Sequence, residues 1–290
     1  MDIYWITIMK KVKKNTIAFQ GIRGAHSDVA CRHIYPDKKS VPFPSFEEVF
    51  EAVKSGEVSM GLIPIENSQV GRVAEIHNLL PEMHLHIIHE YFHRVHHFLV
   101  GPEGANKKTI KHIYSHPQAL LQCRRNIHKM NLIPHPYADT ALAAQYVAEK
   151  NDPSKVAIAS DLAAQEFKLN IVKGNFEDRN DNTTLFVTIS KEAIIPDPKI
   201  GRVLTSLVFV SRNIPAALYK ALGGFATNKV NLLKLESYIP SKKRELAKFF
   251  VTLEGHPKEG LVQLAMEELN FFCESVTILG TYYADHSRFE

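Results

Sequence analysis

The C-terminal third of the chain constrains the fold most, because its apolar residues follow strand and helix periodicities in one definite order. Strands are predicted at 203–210, 230–238, 246–254 and 275–283, and helices at 214–227 and 257–272. Pro215 suits the start of the first of these helices. The resulting order, β-α-β-β-α-β, is that of a ferredoxin-like split unit.

The preceding part of the chain alternates short apolar strands with amphipathic helices, which is typical of open, mostly parallel α/β layers. Two clusters of elements, at about 16–92 and 98–170, predict two lobes around a cleft, and Leu185–Ser190 returns as a further strand. Two prolines and a glycine within Ile194–Gly201 predict a linker. We expect an α/β fold with domains at 16–193 and 203–283, the first divided into a lobe at about 16–92 plus 171–193 and a lobe at 93–170.

Several helix boundaries carry recognisable capping residues. Ser45 opens a capping box, and Asp139 is placed to cap a helix at Thr140–Lys150. Pro117 suits the first turn of a helix that is predicted to continue through Met130.

Composition excludes several classes of function. With 290 residues, 45% hydrophobic, 23% charged and a net charge of +4, the chain is an ordinary globular sequence. It has no basic stripe with interleaved aromatic residues and no apolar run of membrane-spanning length, so neither nucleic acid nor a membrane is an expected partner. Three separated cysteines indicate a reducing compartment, and the N-terminus lacks the order of a secretory signal. We expect a cytoplasmic protein.

Six short motifs follow one another in an order that is more specific than any of them alone. They are Phe19-Gln20-Gly21…Gly24…Ser27, Ile63-Pro64-Ile65-Glu66-Asn67-Ser68…Gly71, Ser115-His116-Pro117-Gln118-Ala119-Leu120…Gln122-Cys123, Asp139-Thr140-Ala141, Asn182-Thr183-Thr184-Leu185-Phe186, and Glu236-Ser237 followed by Phe249-Phe250-Val251…Glu254-Gly255-His256-Pro257. Over about residues 16–283 they resemble the prephenate dehydratase family with a C-terminal ACT regulatory domain. The family motif at 182–186 usually reads Asn-x-Thr-Arg-Phe, and Leu185 stands in place of the arginine.

The resemblance implies a two-lobed, periplasmic-binding-protein-like catalytic domain, a ferredoxin-like ACT domain, and conversion of prephenate to phenylpyruvate in phenylalanine biosynthesis. That reaction loses CO2 and hydroxide and forms an aromatic ring, so the protein has to orient the substrate and help the hydroxide leave. Neutral hydroxyls, amides and backbone N–H groups are the expected donors, and no metal or cofactor is expected. The resemblance also implies feedback by L-phenylalanine and a homodimer or homotetramer.

The resemblance assigns roles to particular residues. Thr184 corresponds to the catalytic threonine, with Glu66, Asn67 and Ser68 as further catalytic candidates at the end of a buried strand. The expected substrate-binding residues are Gly24, Ser27, Ser115, Gln118, Gln122, Thr140, Asn182 and Phe186. Without the resemblance, the 182–184 segment reads as a turn into a strand, Glu66 to Ser68 as a polar turn and the segment around Gly24 as an ordinary loop.

The C-terminal motifs are altered relative to those with which the family binds phenylalanine. The expected effector-binding residues are Ala216, Ala217, Leu218, Asn231, Leu232, Glu236 and Ser237. The helices of an ACT domain occupy only one face of its sheet, and its edge strands need to be covered. This favours an oligomer.

Three alternatives remain open. A non-catalytic amino-acid-binding regulator is one, because Leu185 departs from the motif, and a dehydratase that prefers arogenate is another. The third concerns the histidines between His84 and His97, of which His84 and His86 are predicted to share a strand face. Their spacing favours scattered surface or capping histidines over a metal site.

Overall fold

The computed structural model describes residues 13–239 and 247–289 and contains three sheets and nine α-helices within these ranges. The strands are β1 (Lys13–Gln20), β2 (Lys39–Phe43), β3 (Val58–Asn67), β4 (Gly71–Arg72), β5 (His86–Arg94), β6 (Phe98–Gly101), β7 (His112–Ser115), β8 (Ile133–Pro136), β9 (Lys155–Ala159), β10 (Asn170–Lys173), β11 (Thr183–Ser190), β12 (Val203–Ser211), β13 (Leu232–Tyr238), β14 (Lys248–Glu254) and β15 (Cys273–Tyr283). The helices are α1 (His26–Ile34), α2 (Phe46–Ser55), α3 (Ala74–Met83), α4 (Pro117–Gln122), α5 (Arg124–Lys129), α6 (Thr140–Lys150), α7 (Asp161–Glu166), α8 (Ala217–Thr227) and α9 (Gly260–Phe272), and a 3-10 turn follows at His286–Phe289.

The first sheet forms the first lobe and has the order β2-β1-β3-β11-β5, with β4 paired to β3. Strands β1, β2 and β3 are parallel, whereas β11 runs antiparallel to both of its neighbours. The sheet packs on α2 and α3 through fully buried residues such as Val49, Phe50 and Ile76. The late strand β11 therefore lies beside β3, and the two motifs at their ends come together.

The second sheet forms the second lobe and has the order β10-β6-β9-β7-β8. This corrects the predicted lobe boundary, since residues 170–173 pair with β6 here rather than returning to the first lobe. The chain returns to the first lobe only at β11, because Ile171 and Lys173 complete the edge of the second sheet first. Two segments therefore connect the lobes, at 95–97 and 174–182.

The third sheet has the order β13-β14-β12-β15 and is antiparallel at each pairing. The predicted β-α-β-β-α-β order is confirmed over this part of the chain. One face packs on α8 and α9, and the other packs on the first lobe through Leu204, Phe250 and Tyr282. The helices therefore occupy only one face, as expected, and the first lobe of the same chain covers the other.

Local signals predicted helix starts better than helix lengths. Ser45 caps α2 and Asp139 caps α6, as predicted. The helix from Pro117 does not continue to Met130, because the carboxylate of Asp178 accepts from the backbone N–H groups that begin α5. The first C-terminal helix begins after Ala216, whose φ of 62° is left-handed, and not at Pro215.

No described helix combines the length and the apolar character that a membrane crossing requires.

Candidate active site

A cavity of about 370 Å³, here called the cleft cavity, lies between the two lobes. It is bordered by the carboxyl ends of β1 and β3 and by the amino end of β11. Ligands commonly bind at such strand ends in open α/β sheets. Among the residues predicted from the sequence, those that line it are Ser27, Asn67, Gln118, Gln122, Thr140, Asn182, Thr184 and Phe186.

Three helix starts face the cleft cavity. Ser27, Gln118 and Thr140 lie in the first turns of α1, α4 and α6. His116 and Asp139 cap α4 and α6 with their side chains, whereas no such cap occurs at α1 among the described residues. Backbone N–H groups at a helix start favour anions, and the buried Asp28 in the first turn of α1 is already paired with Arg32, so the start of α1 is suited to receive a carboxylate.

Hydrogen bonds fix the orientation of Asn67. Its Oδ1 accepts from the backbone N–H groups of Gln69 at 3.0 Å and Val70 at 3.1 Å. Its amide nitrogen must therefore be the atom that faces Asn182 Oδ1 at 2.7 Å and Thr184 Oγ1 at 2.9 Å. Both amide hydrogens of Asn67 are used within the protein, so this side chain positions its neighbours.

The hydroxyl of Thr184 consequently has a defined polarity. Its oxygen accepts from Asn67, so its own proton remains available to a group in the cleft cavity. Phe186, two residues along β11, points to the same face of the strand and is 2% exposed. A hydroxyl donor beside a buried aromatic wall can hold an oxygen atom that is carried by an apolar ring.

Two predicted binding residues lie outside the cleft cavity. Ser115 is fully buried, and its hydroxyl donates to the carbonyl of Ile158 at 2.7 Å, which joins β7 to β9. Gly24 has a φ of 84°, and a Cβ there would lie 2.7 Å from the Cα of Ala163. Its N–H donates to the carboxylate of Asp28. Gly24 therefore allows close contact between the lobes instead of holding an anion.

Two predicted catalytic residues also lie elsewhere. Glu66 and Ser68 line a second cavity of about 520 Å³, here called the junction cavity, between the first lobe and the third sheet. Glu66 pairs with Lys234 of β13, and Ser68 bonds to the backbone of Asp181 and Thr183. The reason is strand alternation, since neighbours of Asn67 on an extended chain point away from the face that Asn67 occupies.

The junction cavity is larger than the cleft cavity, but its charged groups are already paired with one another. Glu236 lies 3.2 Å from the ammonium of Lys234 and 3.5 Å from the guanidinium of Arg72. Arg288, which also lines the junction cavity, is held by the buried carboxylate of Glu90. This arrangement joins two parts of the chain and offers few free groups to a ligand.

The predicted effector-binding residues do not gather within one chain. Ala216, Ala217 and Leu218 lie at the end of the third sheet where β12 and β13 finish. Asn231 and Leu232 lie at the opposite end, where Asn231 donates to Glu254. Glu236 faces the junction cavity, and the exposed Ser237 follows it on β13.

The sequence interpretation missed a group of histidines at the cleft cavity. His26 and His97 line the cavity with ring centroids 5.4 Å apart, and His93 lies 6.1 Å from His26. Burial lowers the pKa of all three, and in His26 the neighbouring histidines lower it further. The group is therefore neutral near pH 7. His26 adjoins the predicted Ser27, which was the available signal.

The interpretation of these histidines as surface or capping groups is wrong for two of them. His93 and His97 are each less than 8% exposed, whereas His84 and His96 are exposed. His84 has a left-handed φ of 55° and ends α3, so it does not share a strand face with His86. Within residues 13–239 and 247–289, the His, Cys, Asp and Glu side chains form no group of three that could hold a metal ion.

The buried histidines predict a pH-dependent stability. Burial, together with His33 and His96, lowers the pKa of His93 from 6.5 to about 4, while Asp161 acts in the opposite direction. Between these values the unfolded chain binds more protons than the folded chain, so the free energy of unfolding falls as the pH drops. When the pH is lowered from about 7 to about 4.5, the free energy of unfolding should fall by about 2 kcal/mol less in His93→Phe than in the parent protein. Urea unfolding at both pH values would measure this difference. Parallel pH profiles would contradict this assignment.

Leu185 occupies the position where the related motif has arginine. It is 9% exposed and faces the junction cavity, on the opposite side of β11 from Thr184. We therefore expect Leu185→Arg to change kcat/KM by less than about threefold, while the added buried charge lowers stability. Steady-state kinetics with thermal unfolding would check both effects. A tenfold gain in kcat/KM would instead place this position in substrate binding.

Comparison with known proteins decides the family. The family model for prephenate dehydratase matches residues 17–194, which include both lobes. The chain belongs to the prephenate dehydratase family. A bifunctional N-acyl-homoserine lactone acylase/prephenate dehydratase from Komagataeibacter europaeus is 42% identical, over 94% of this chain and 97% of its own length. Arogenate dehydratase/prephenate dehydratase 2 from Arabidopsis thaliana is 36% identical, over 93% of this chain and 73% of its own length.

The similarity of this prephenate dehydratase family member to solved structures extends beyond residue 194. A prephenate dehydratase from Arthrobacter aurescens, solved in complex with L-Phe, superposes with a TM-score of 0.84 at 27% identity. The superposition covers 93% of this chain and 90% of the other. It therefore includes most of the third sheet as well as the two lobes.

Proposed function

We propose that the protein catalyses the decarboxylating dehydration of prephenate to phenylpyruvate, water and CO2, in L-phenylalanine biosynthesis. The observation that carries the proposal is the Thr184 hydroxyl at the wall of the cleft cavity. Its oxygen accepts a hydrogen bond from Asn67, so its own proton is available to a molecule bound in the cleft cavity. Membership of the family supplies the reaction class. The free, buried cysteines fit a cytoplasmic location, which is part of the proposal.

In this mechanism the bond between the ring and its carboxylate breaks, and its electron pair enters the ring as CO2 departs. The carbon–oxygen bond opposite breaks at the same time, and the ring becomes aromatic. The leaving oxygen accepts a hydrogen bond from Thr184, takes up one proton that comes from the solvent, and departs as water. A threonine hydroxyl is a weak acid, so Thr184 stabilises or relays the proton rather than supplying it from its own ionisation.

Neutral donors are proposed to bind the two carboxylates of prephenate. No lysine or arginine is among the described residues that line the cleft cavity. The start of α1 near Ser27 offers backbone N–H groups, and the side chains of Gln118, Gln122 and Thr140 face the same space. Because these groups are fixed by helices, they would hold the substrate in one orientation.

Arogenate is the second candidate substrate, and Asp139 is the observation that favours it. Asp139 lines the cleft cavity, and its Oδ1 accepts from two backbone N–H groups of α6. Its second oxygen is the proposed acceptor for the ammonium group that distinguishes arogenate from prephenate. The relatives from Arabidopsis thaliana and Petunia hybrida include proteins named arogenate dehydratases.

Direct turnover tests both substrates. Purified protein is incubated with prephenate or with arogenate, and phenylpyruvate or phenylalanine is measured. We expect a higher kcat/KM with prephenate. Higher kcat/KM with arogenate, reversed by Asp139→Asn, would assign the second substrate. Turnover of neither substrate, with phenylalanine still bound, would support the non-catalytic regulator.

We further propose that residues 203–283 form an ACT domain through which L-phenylalanine inhibits the enzyme. The β-α-β-β-α-β order supports this, and the related Arthrobacter aurescens structure contains L-Phe. A physical connection to the cleft also exists, since Lys234 of β13 pairs with Glu66, the residue before Asn67. We expect a coupling of about 1–3 kcal/mol between phenylalanine and substrate. If calorimetry detects no heat of binding at millimolar phenylalanine, the role that remains for residues 203–283 is assembly.

Assembly into a homodimer or homotetramer through residues 203–283 is also proposed. Although the first lobe covers one face of the third sheet, apolar side chains remain exposed on its helices. They include Tyr219, Leu261 and Phe271, which are 81%, 56% and 71% exposed. Sedimentation velocity at micromolar concentration should give a dimer or larger. A monomer would refute this part.

A further inference from the structure

The hydrogen bonds of the cleft wall form one directed series that starts at the backbone. The backbone N–H groups of Gln69 and Val70 orient the Asn67 side chain so that its amide nitrogen faces Asn182. The Asn182 atom that accepts this hydrogen bond must therefore be its side-chain oxygen. The side-chain amide nitrogen of Asn182 then lies 3.2 Å from Gln122. Because this nitrogen donates a hydrogen bond, the accepting atom must be Gln122 Oε1. Each step follows because a donor must meet an acceptor. No step depends on a freely chosen amide orientation.

The series ends at His97. Its Nε2 lies 2.8 Å from the same oxygen of Gln122. Since this oxygen can only accept, His97 Nε2 must carry the hydrogen, which defines the tautomer of a neutral ring. Gln122 Oε1 then accepts two hydrogen bonds, from Asn182 and from His97, at the wall of the cleft cavity. Both hydrogens of the Gln122 amide are left for the cleft cavity, which this side chain lines.

We propose that His97 is a positioning residue, which holds the Gln122 amide with its two hydrogens directed at the substrate. The proposal rests on the proposed dehydratase function and adds a residue that acts through another one. His97 does not need to contact the substrate itself. Its effect reaches the reaction through Gln122, because the orientations of Asn67 and Asn182 are already determined from the backbone.

The surroundings of His97 fit a fixed ring. The residue is 2% exposed. Its backbone N–H donates to the carboxylate of Glu177 at 2.9 Å, and its backbone carbonyl accepts from the backbone N–H of Phe176 at 2.8 Å. These bonds join the two segments that connect the lobes. Val95 likewise donates to the carbonyl of Asn182. The backbone at position 97 is therefore held independently of the imidazole, which makes side-chain substitutions interpretable.

Two amide substitutions separate the hydrogen bond from bulk and polarity. Glutamine places an amide nitrogen near the position of Nε2, whereas asparagine reaches only as far as Nδ1, which has no partner in the described protein. We expect His97→Gln to keep kcat/KM within about fivefold of the parent and His97→Asn to lose about 30-fold or more. Equal losses in the two variants, with both folded by circular dichroism, would overturn the proposal.

A double-mutant cycle tests whether His97 acts through Gln122. In a Gln122→Ala background, His97→Asn should cost less than about twofold in kcat/KM, because the group it positions is gone. A general structural role would give the same loss in both backgrounds and would refute the positioning role.

The tautomer provides a readout that does not require turnover. ¹⁵N NMR at neutral pH should assign His97 to the Nε2–H form, identified by the signals lost in His97→Asn. The side-chain amide of Gln122 should shift in that variant and much less in His97→Gln. An Nδ1–H tautomer would overturn the inference even if prephenate and arogenate are not substrates. A parent enzyme without turnover but with the Nε2–H tautomer would refute the dehydratase proposal alone.

Discussion

Thr184→Val should lower kcat by on the order of 100-fold or more while leaving the fold intact. Valine keeps the β-branched shape of threonine, so β11 should pair with β3 and β5 as before. The loss follows because this hydroxyl is the proposed donor to the leaving oxygen. The substitution also removes the acceptor for one amide hydrogen of Asn67. Single-turnover kinetics, which isolate the chemical step, would measure the effect.

Thr183→Val is the matched control for this substitution. Thr183 precedes Thr184 on the same strand but lines the junction cavity on the opposite face. The same change in volume and polarity is therefore made without touching the cleft, and kcat should stay within about threefold. Full activity of a folded Thr184→Val protein would remove this hydroxyl from the mechanism. Equal losses at both positions would indicate a general disturbance of β11.

Gly280→Ala should destabilise the contact between the third sheet and the first lobe by about 3 kcal/mol or more. A Cβ at this position would lie 2.1 Å from the carbonyl oxygen of Ile87 in β5. Both residues lie in hydrogen-bonded strands, so neither atom can move away as the end of a flexible side chain would. Urea unfolding of the full chain would measure the loss, and we expect faster proteolysis in the linker at 194–201.

Gly223→Ala provides the control for the glycine substitution. Gly223 lies inside α8, and a Cβ there would meet no atom within 4 Å. The change should therefore stabilise the protein by about 0.5–1 kcal/mol, since alanine favours a helix over glycine. Unchanged stability and protease resistance in Gly280→Ala would show that the close approach of β15 to β5 relaxes at little cost.

Signals that depend on neighbours in the sequence predicted much of the fold. The C-terminal element order, the caps at Ser45 and Asp139, and the buried strand before Asn67 follow from periodicity and local hydrogen bonding. The division of the predicted helix at 117–130 was not predicted. Its cause is Asp178, a residue about fifty positions away that starts α5.

The candidate site was predicted in composition but not in orientation. Motif order brought Thr184, Asn67 and Gln122 together as candidates, and the structure places all three at one cavity. Glu66 and Ser68 belong to the same motif as Asn67 yet face the third sheet. A linear motif shows which residues are near one another in the chain. It does not show which face of a strand is turned towards the cleft.

What the sequence by itself determined is the element order of the C-terminal third, several helix starts, and the family to which the chain belongs. Only the tertiary structure decided that β11 lies between β3 and β5, that the first lobe covers the third sheet, and that His26 and His97 border the cleft. The physical reason is the range of the interactions. Periodicity and caps act over a few residues, whereas the pairing of strands and the burial of histidines depend on contacts between segments far apart in the chain.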